Sequence, residues 1–258
     1  MHLFWPVALF FILIAILLYV IYRITQRDYW RRLSGNLKPC PFGKETTTEL
    51  RRMNAMNGRV GVISYSLYGN FQKYLPNLLL NLDIISKEMV GWQARVYVSE
   101  SVSPFSIQEI LSRGAEVLVM SNPKGHEGAL WRFLPGKENL TFVSLDADDV
   151  FDRTAEIKAW LASGKPFGLL NRNKFLLPMT AGTWGARAGE LLDIQDHLDQ
   201  YCEHWFGFDE AFLYQVIWPR VESRGYWEAP GISWRALFYA LLCGILFLAG
   251  FILLKSLY

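Results

Sequence analysis

The chain has 258 residues, of which 52% are hydrophobic and 19% charged, enough for a cored domain even when both ends are set aside. A net charge of +2 supplies no broad cationic surface, which argues against a nucleic-acid partner. Cys40, Cys202 and Cys243 are odd in number and show neither zinc nor disulfide spacing, as a reducing compartment tolerates.

Residues 3–22 carry no charge and are rich in Leu, Ile, Phe and Val, and 236–254 repeat that character. Either run is long enough to cross a hydrocarbon core of roughly 30 Å at ~1.5 Å per residue, so both read as transmembrane helices. A cleaved signal peptide fits 3–22 poorly, because the apolar region is too long and no basic residues precede it. Arg23, Arg27, Arg31 and Arg32 follow the first span directly, and such an excess marks the cytoplasmic side. The expectation is a multi-pass protein of the inner (plasma) membrane with its central domain in the cytoplasm. Residues 23–57, irregular and containing Pro39 and Pro41, read as a connector to a domain over 58–223.

Within that domain the first strand is expected over 59–65, followed by the turn Ser66-Leu67-Tyr68-Gly69. Leu75, Leu78, Leu79, Leu82 and Ile85 share one face at helical spacing, which predicts an amphipathic helix over 75–89. A strand over 94–98, a helix over 106–112 and a strand over 115–120 come next. Phe142-Val143-Ser144-Leu145 then reads as a buried strand that runs straight into Asp146, Asp148 and Asp149. A helix over 155–163 should end at Gly164, and a strand should span 166–171. The stretch 179–187 is small-residued around one ring, Trp184, and its glycines suit either close approach to a ligand or a bent strand. Helices over 191–201 and 209–218 follow, the second stopped by Pro219. Strands alternating with helices imply an α/β, Rossmann-like domain with a mostly parallel sheet lying between the two spans.

In such sheets ligands bind beyond the carboxyl ends of strands, where 64–69 and 146–149 both fall. Asp146 and Asp148 offer two hard oxygen ligands at one strand end, which suits Mg²⁺ or Mn²⁺ held together with substrate phosphates. A solvated turn ahead of the next helix accounts for the same residues without any metal. Asp209 and Glu210 either cap the last helix or reach into the cleft. No Walker-type loop and no Gly-x-Gly-x-x-Gly occurs.

The motifs in order are Ser64-Tyr65-Ser66-Leu67-Tyr68-Gly69, Trp131-Arg132-Phe133-Leu134, Leu145-Asp146-Ala147-Asp148, Gly182-Thr183-Trp184-Gly185-Ala186-Arg187 and Phe208-Asp209-Glu210-Ala211-Phe212-Leu213. Together they resemble the bacterial glycosyltransferases of the GT-A type, across the whole domain between the spans. The resemblance implies a nucleotide-sugar donor bound through a divalent metal on Asp146 and Asp148. It implies nucleotide-sugar contacts from Ser64, Tyr65, Tyr68, Arg132, Trp184 and Arg187, with Trp184 and Arg187 bordering the acceptor. Arg132 suits phosphate through its planar fork, and an ordinary ion pair explains it equally. An inverting reaction requires a carboxylate base, for which Asp209 is the candidate and Glu210 the reserve. The chain departs from the family at Asn171-Arg172-Asn173, where relatives carry acidic and histidine residues. The functional expectation is a membrane-anchored glycosyltransferase acting on a cell-envelope glycan or a lipid-linked acceptor. An inactive scaffold on the same fold, or another metal-dependent nucleotidyl or phosphoryl enzyme, stands as the alternative.

Overall fold

A computed structural model describes residues 48–55, 57–121, 126–171, 179–200 and 207–231, together with Leu13, Leu17 and Val20. These fall almost wholly within one compact unit, 36–171 and 179–229. A second unit, 1–35, 172–178 and 230–258, lies almost entirely outside the described residues. The expected spans 3–22 and 236–254 belong to it, as do Arg172 and Asn173; of the spans, only the three helical residues at 13, 17 and 20 are described. Among the described residues no helix is long and apolar enough to cross a membrane.

Eight strands form one sheet: β1 (Glu49–Met53), β2 (Gly61–Leu67), β3 (Trp92–Ser99), β4 (Glu116–Met120), β5 (Phe142–Leu145), β6 (Phe167–Leu169), β7 (Thr183–Ala186) and β8 (Tyr226–Glu228). Their order across the sheet is β1-β4-β3-β2-β5-β7-β6-β8. The block β4-β3-β2-β5 is parallel throughout, as the alternation of strands and helices predicts. β1 runs antiparallel on the β4 edge, and β7 runs antiparallel between β5 and β6. The sheet is therefore mixed. The stretch expected to be a connector supplies β1, and the carboxyl boundary expected at 223 falls short of β8.

The two faces of the sheet are buried by different layers. On one, α1 (Leu75–Glu88), α2 (Pro104–Ser112) and α3 (Thr154–Ser163) set Leu78, Leu82, Ile85, Ile110 and Trp160 against Ile63, Val96, Val117 and Val143. The apolar stripe of α1 makes this face, and Ser103 caps α2 by accepting from the Ser106 amide at 3.1 Å. Gly164 ends α3 in the left-handed conformation, φ +70°, that favours glycine.

The other face is covered by a run of 3₁₀ turns, His126–Glu138, and by a helical rod. That rod comprises α5 (Phe208–Phe212), a π-turn (Leu213–Ile217) and α6 (Trp218–Arg224); the short α4 (Ile194–Leu198) precedes it. Pro219 does not stop the helix. A proline lacks the N–H that an α-helix would use there, and the wider π-turn just before it lets the chain continue with Pro219 in the first turn of α6.

Candidate functional site

β2 and β5 are neighbours in the parallel block, so the residues after their carboxyl ends share one rim. Because β7 is reversed, the segment entering it, 179–182, lies on that rim as well. The β5–β7 register pairs Leu145 with Thr183, and one step further sets Asp146 opposite Gly182. A Cβ on Gly182 would fall 1.8 Å from Asp146 Oδ2 and 2.2 Å from its Cγ, so the carboxylate occupies the space a side chain would fill. The missing side chain at Gly182 seats Asp146.

Arg132 enters from the 3₁₀ run on the other layer. Its backbone N–H donates to Ser66 Oγ at 3.1 Å, which fixes it beneath the end of β2. Its Nη1 donates to Asp146 Oδ1 and, at 3.4 Å, to the Leu145 carbonyl. Its Nη2 donates to Asp209 Oδ2 at 2.7 Å. One guanidinium thus joins the end of β5 to the start of the rod. The Arg132 side chain is 7% exposed, against 40% for Asp146 and 17% for Asp209, so the carboxylates face outward and the cation lies behind them.

Glu210 follows Asp209 and accepts from the Ala181 amide at 2.9 Å through Oε1, while its buried Oε2 has no hydrogen-bond partner. Ser144 Oγ donates to the Ala181 carbonyl at 2.7 Å, and Tyr214 Oη donates to the Met179 carbonyl at 2.6 Å. The segment carrying Gly182 is therefore tied down from both β5 and the rod. Burial pushes the Glu210 carboxyl up to about 8, partly offset by the Ala181 hydrogen bond. A carboxyl so raised favours the folded state most below its unfolded value of about 4.3, and that contribution is lost as pH rises through about 8. Glu210→Gln keeps the acceptor for Ala181 and removes the ionisation. It is expected to melt several degrees above wild type at pH 9 and together with it at pH 5, as followed by circular dichroism; equal melting at both would exclude a neutral buried Glu210.

Two asparagines on α1 hold the acidic turn. Asn77 Nδ2 donates to the Asp148 carbonyl at 2.7 Å, and the buried Asn81 donates to the Asp149 carbonyl and accepts from the Phe151 amide, each at 2.7 Å. Asp148 itself is exposed. Partial burial and then the negative charges of Asp146 and Asp148 raise the Asp149 carboxyl above its ordinary range. The turn carries a negative field that a divalent cation would relieve, and two carboxylates plus substrate oxygens fit Mn²⁺ or Mg²⁺. Among the described residues no group of three or more ligating side chains is assembled, so such an ion would need oxygens from substrate or water.

The rim brings together Tyr68, Arg132, Asp146, Asp209 and Glu210. Tyr68 is half-buried, packed edge-on to Trp131 with ring centroids 6.2 Å apart. Four other expected contacts lie elsewhere. Ser64 and Tyr65 are fully buried because β2 runs on to Leu67, two residues past the expected strand end. Trp184 is fully buried between Phe133 and Phe142, each at 5.3 Å between centroids, so its ring lies in the core and not on the rim. Arg187 donates to the carbonyls of Leu161 and Lys165 and lies over the Trp160 ring, a structural role. Sequence reasoning missed Ser66, Asn77, Asn81, Ser144 and Tyr214. The only local signal was Asn77 and Asn81, four residues apart on the apolar first half of the helix.

No family model matches the chain, and no curated protein matches its sequence. Among solved structures it is similar to the mannosyltransferase PcManGT from Pyrobaculum calidifontis, in complex with GDP-Man and Mn²⁺. The two share 16% identity at a TM-score of 0.45, over 85% of this chain and 66% of that one. A likeness at that level carries no weight here for either fold or activity.

Proposed function

We propose that the domain is a metal-dependent glycosyltransferase that moves a sugar from a nucleotide-sugar donor to a cell-envelope glycan or a lipid-linked acceptor. The observation that carries this reading is the seat of Asp146. A strand-end carboxylate lies in a hollow left by Gly182 and is joined through Arg132 to a second carboxylate, Asp209, from another layer. The motif resemblance to GT-A enzymes adds the reaction class. Asp146 and Asp148 would hold the cation, which when bound supplies Lewis-acid stabilisation of the departing diphosphate. Asp209 would take the proton of an acceptor hydroxyl in an inverting reaction. Glu210 is not suited to that task near neutral pH, since burial holds it protonated there, and its role is to anchor Ala181. Tyr68, at the edge of the same rim, offers a ring for the nucleotide.

In this proposal 3–22 and 236–254 anchor the protein in the inner membrane with the domain on the cytoplasmic side. Anchoring confines enzyme and lipid-linked acceptor to one surface and raises their effective concentration. The test is calorimetric titration of the full chain in detergent with a panel of nucleoside diphosphates, with and without Mn²⁺, and the same titrations on Asp148→Ala. One nucleotide is expected to bind only with Mn²⁺, and Asp148→Ala is expected to lose that binding. Absence of binding by wild type under every metal condition would replace this reading with that of a non-catalytic scaffold.

A further inference from the structure

Resting on the metal-binding reading above, we propose that Arg132 is a positioning residue. Its guanidinium holds Asp146 and Asp209 on one buried cation and competes with a divalent metal for Asp146. Both outer nitrogens are already engaged by carboxylates. The backbone is pinned by Ser66, and the guanidinium carbon lies 5.8 Å from the Phe133 ring centroid, within a buried run that includes Trp131 and Leu134. A ligand arriving from solvent meets the two acids first and the arginine only behind them.

In its seat Asp146 has Oδ1 on Arg132 and Oδ2 over Gly182. A cation that binds Asp146 therefore shares that carboxylate with a fixed positive charge at hydrogen-bond distance, which lowers its affinity. The arrangement also makes Asp209 matter to the metal without touching it. While Asp209 draws on the guanidinium, less of that charge is directed at Asp146.

The measurement is Mn²⁺ binding alone, without nucleotide, by the full chain in detergent, read from the electron paramagnetic resonance signal of free Mn²⁺. Arg132→Met is expected to bind Mn²⁺ at least tenfold tighter than wild type, and Arg132→Lys to lie between the two. Asp209→Asn, which leaves the cation to Asp146, is expected to bind several-fold weaker. Wild-type binding with Arg132→Met equal or weaker overturns the competition and leaves the metal reading standing. In that case a loss of Mn²⁺-dependent nucleotide binding in Arg132→Met would assign the residue to phosphate. Failure of all four proteins to bind Mn²⁺ alone overturns the competition, and the metal reading falls with it if wild type also fails to bind nucleotide in the presence of Mn²⁺. Arg132→Met could fail through misfolding, so the holding role has a second readout, a metal-free thermal-unfolding cycle of Arg132→Met and Asp209→Asn. Non-additive melting shifts support the shared cation, and additive ones overturn it.

Discussion

Glu116→Gln is expected to destabilise the domain by about 3–5 kcal/mol, the range for removing one partner of a buried ion pair. Glu116 on β4 is fully buried and stands in register with the equally buried Arg95 on β3. Its Oε2 accepts from Arg95 Nε at 2.6 Å and from Arg59 Nη1 at 2.7 Å. Glu138, at the end of the 3₁₀ run, accepts from Arg95 Nη2 at 2.9 Å and from Arg52 of β1 at 2.6 Å. The network ties the edge strand and the 3₁₀ run to the sheet, and Glu116 is its one fully buried anion. Without that charge, Arg95 retains only a part-exposed carboxylate while its own desolvation is undiminished. Urea unfolding should show a lower midpoint at unchanged slope. Replacing both members, as Arg95→Met with Glu116→Leu, should recover part of the loss, because neither leaves a charge of its own in the core, while Arg59 keeps Glu138 at 3.9 Å as its remaining acid. A Glu116→Gln effect below about 1 kcal/mol would mean the charges are solvated in solution.

Gly182→Ala should act on the site with little effect on the fold. The added methyl collides with Asp146 Oδ2 and Cγ, the end of a short side chain that can swing away, and not with fixed backbone. Asp146 then leaves both its seat and Arg132. Mn²⁺-dependent nucleotide binding should weaken by about 10- to 100-fold, the usual cost of losing a group that orients a metal ligand. The melting temperature should stay within a few degrees of wild type. Adding Asp146→Ala to this variant should cause little further loss of binding, since both changes remove the same carboxylate. Wild-type affinity in Gly182→Ala would show that the ion does not use Asp146.

What the sequence displayed depended on whether a residue's partners are local. The apolar stripe of α1 and the run 142–145 ending in acids were readable because period and burial are written within a few residues. β1 was not. Its side chains are largely exposed, so Glu49-Leu50-Arg51-Arg52 carries no alternation, and its place in the sheet comes from backbone pairing to β4. β8, with three residues, is too short to show any period. Asp146, Arg132 and Asp209 were each visible as candidates, but their union on one cation joins positions up to 77 residues apart. Trp184 stood open between two readings, because a ring among glycines suits a ligand platform as well as it suits a wedge. Only the neighbouring Phe133 and Phe142 decide between them.

The reversal of β7 has a consequence for how the site tolerates change. Sliding β7 past β5 by two residues would leave every side chain on its original face, so the core's inside–outside pattern would raise no objection. Yet Asp146 would then stand opposite Thr180 or Trp184, where no hollow awaits it. The chemistry hangs on alignment, not composition. Trp184, wedged between two phenylalanines that belong to other segments, acts as the pin that forbids the slide. A side chain buried away from the rim thereby decides whether the acid beside it is in place.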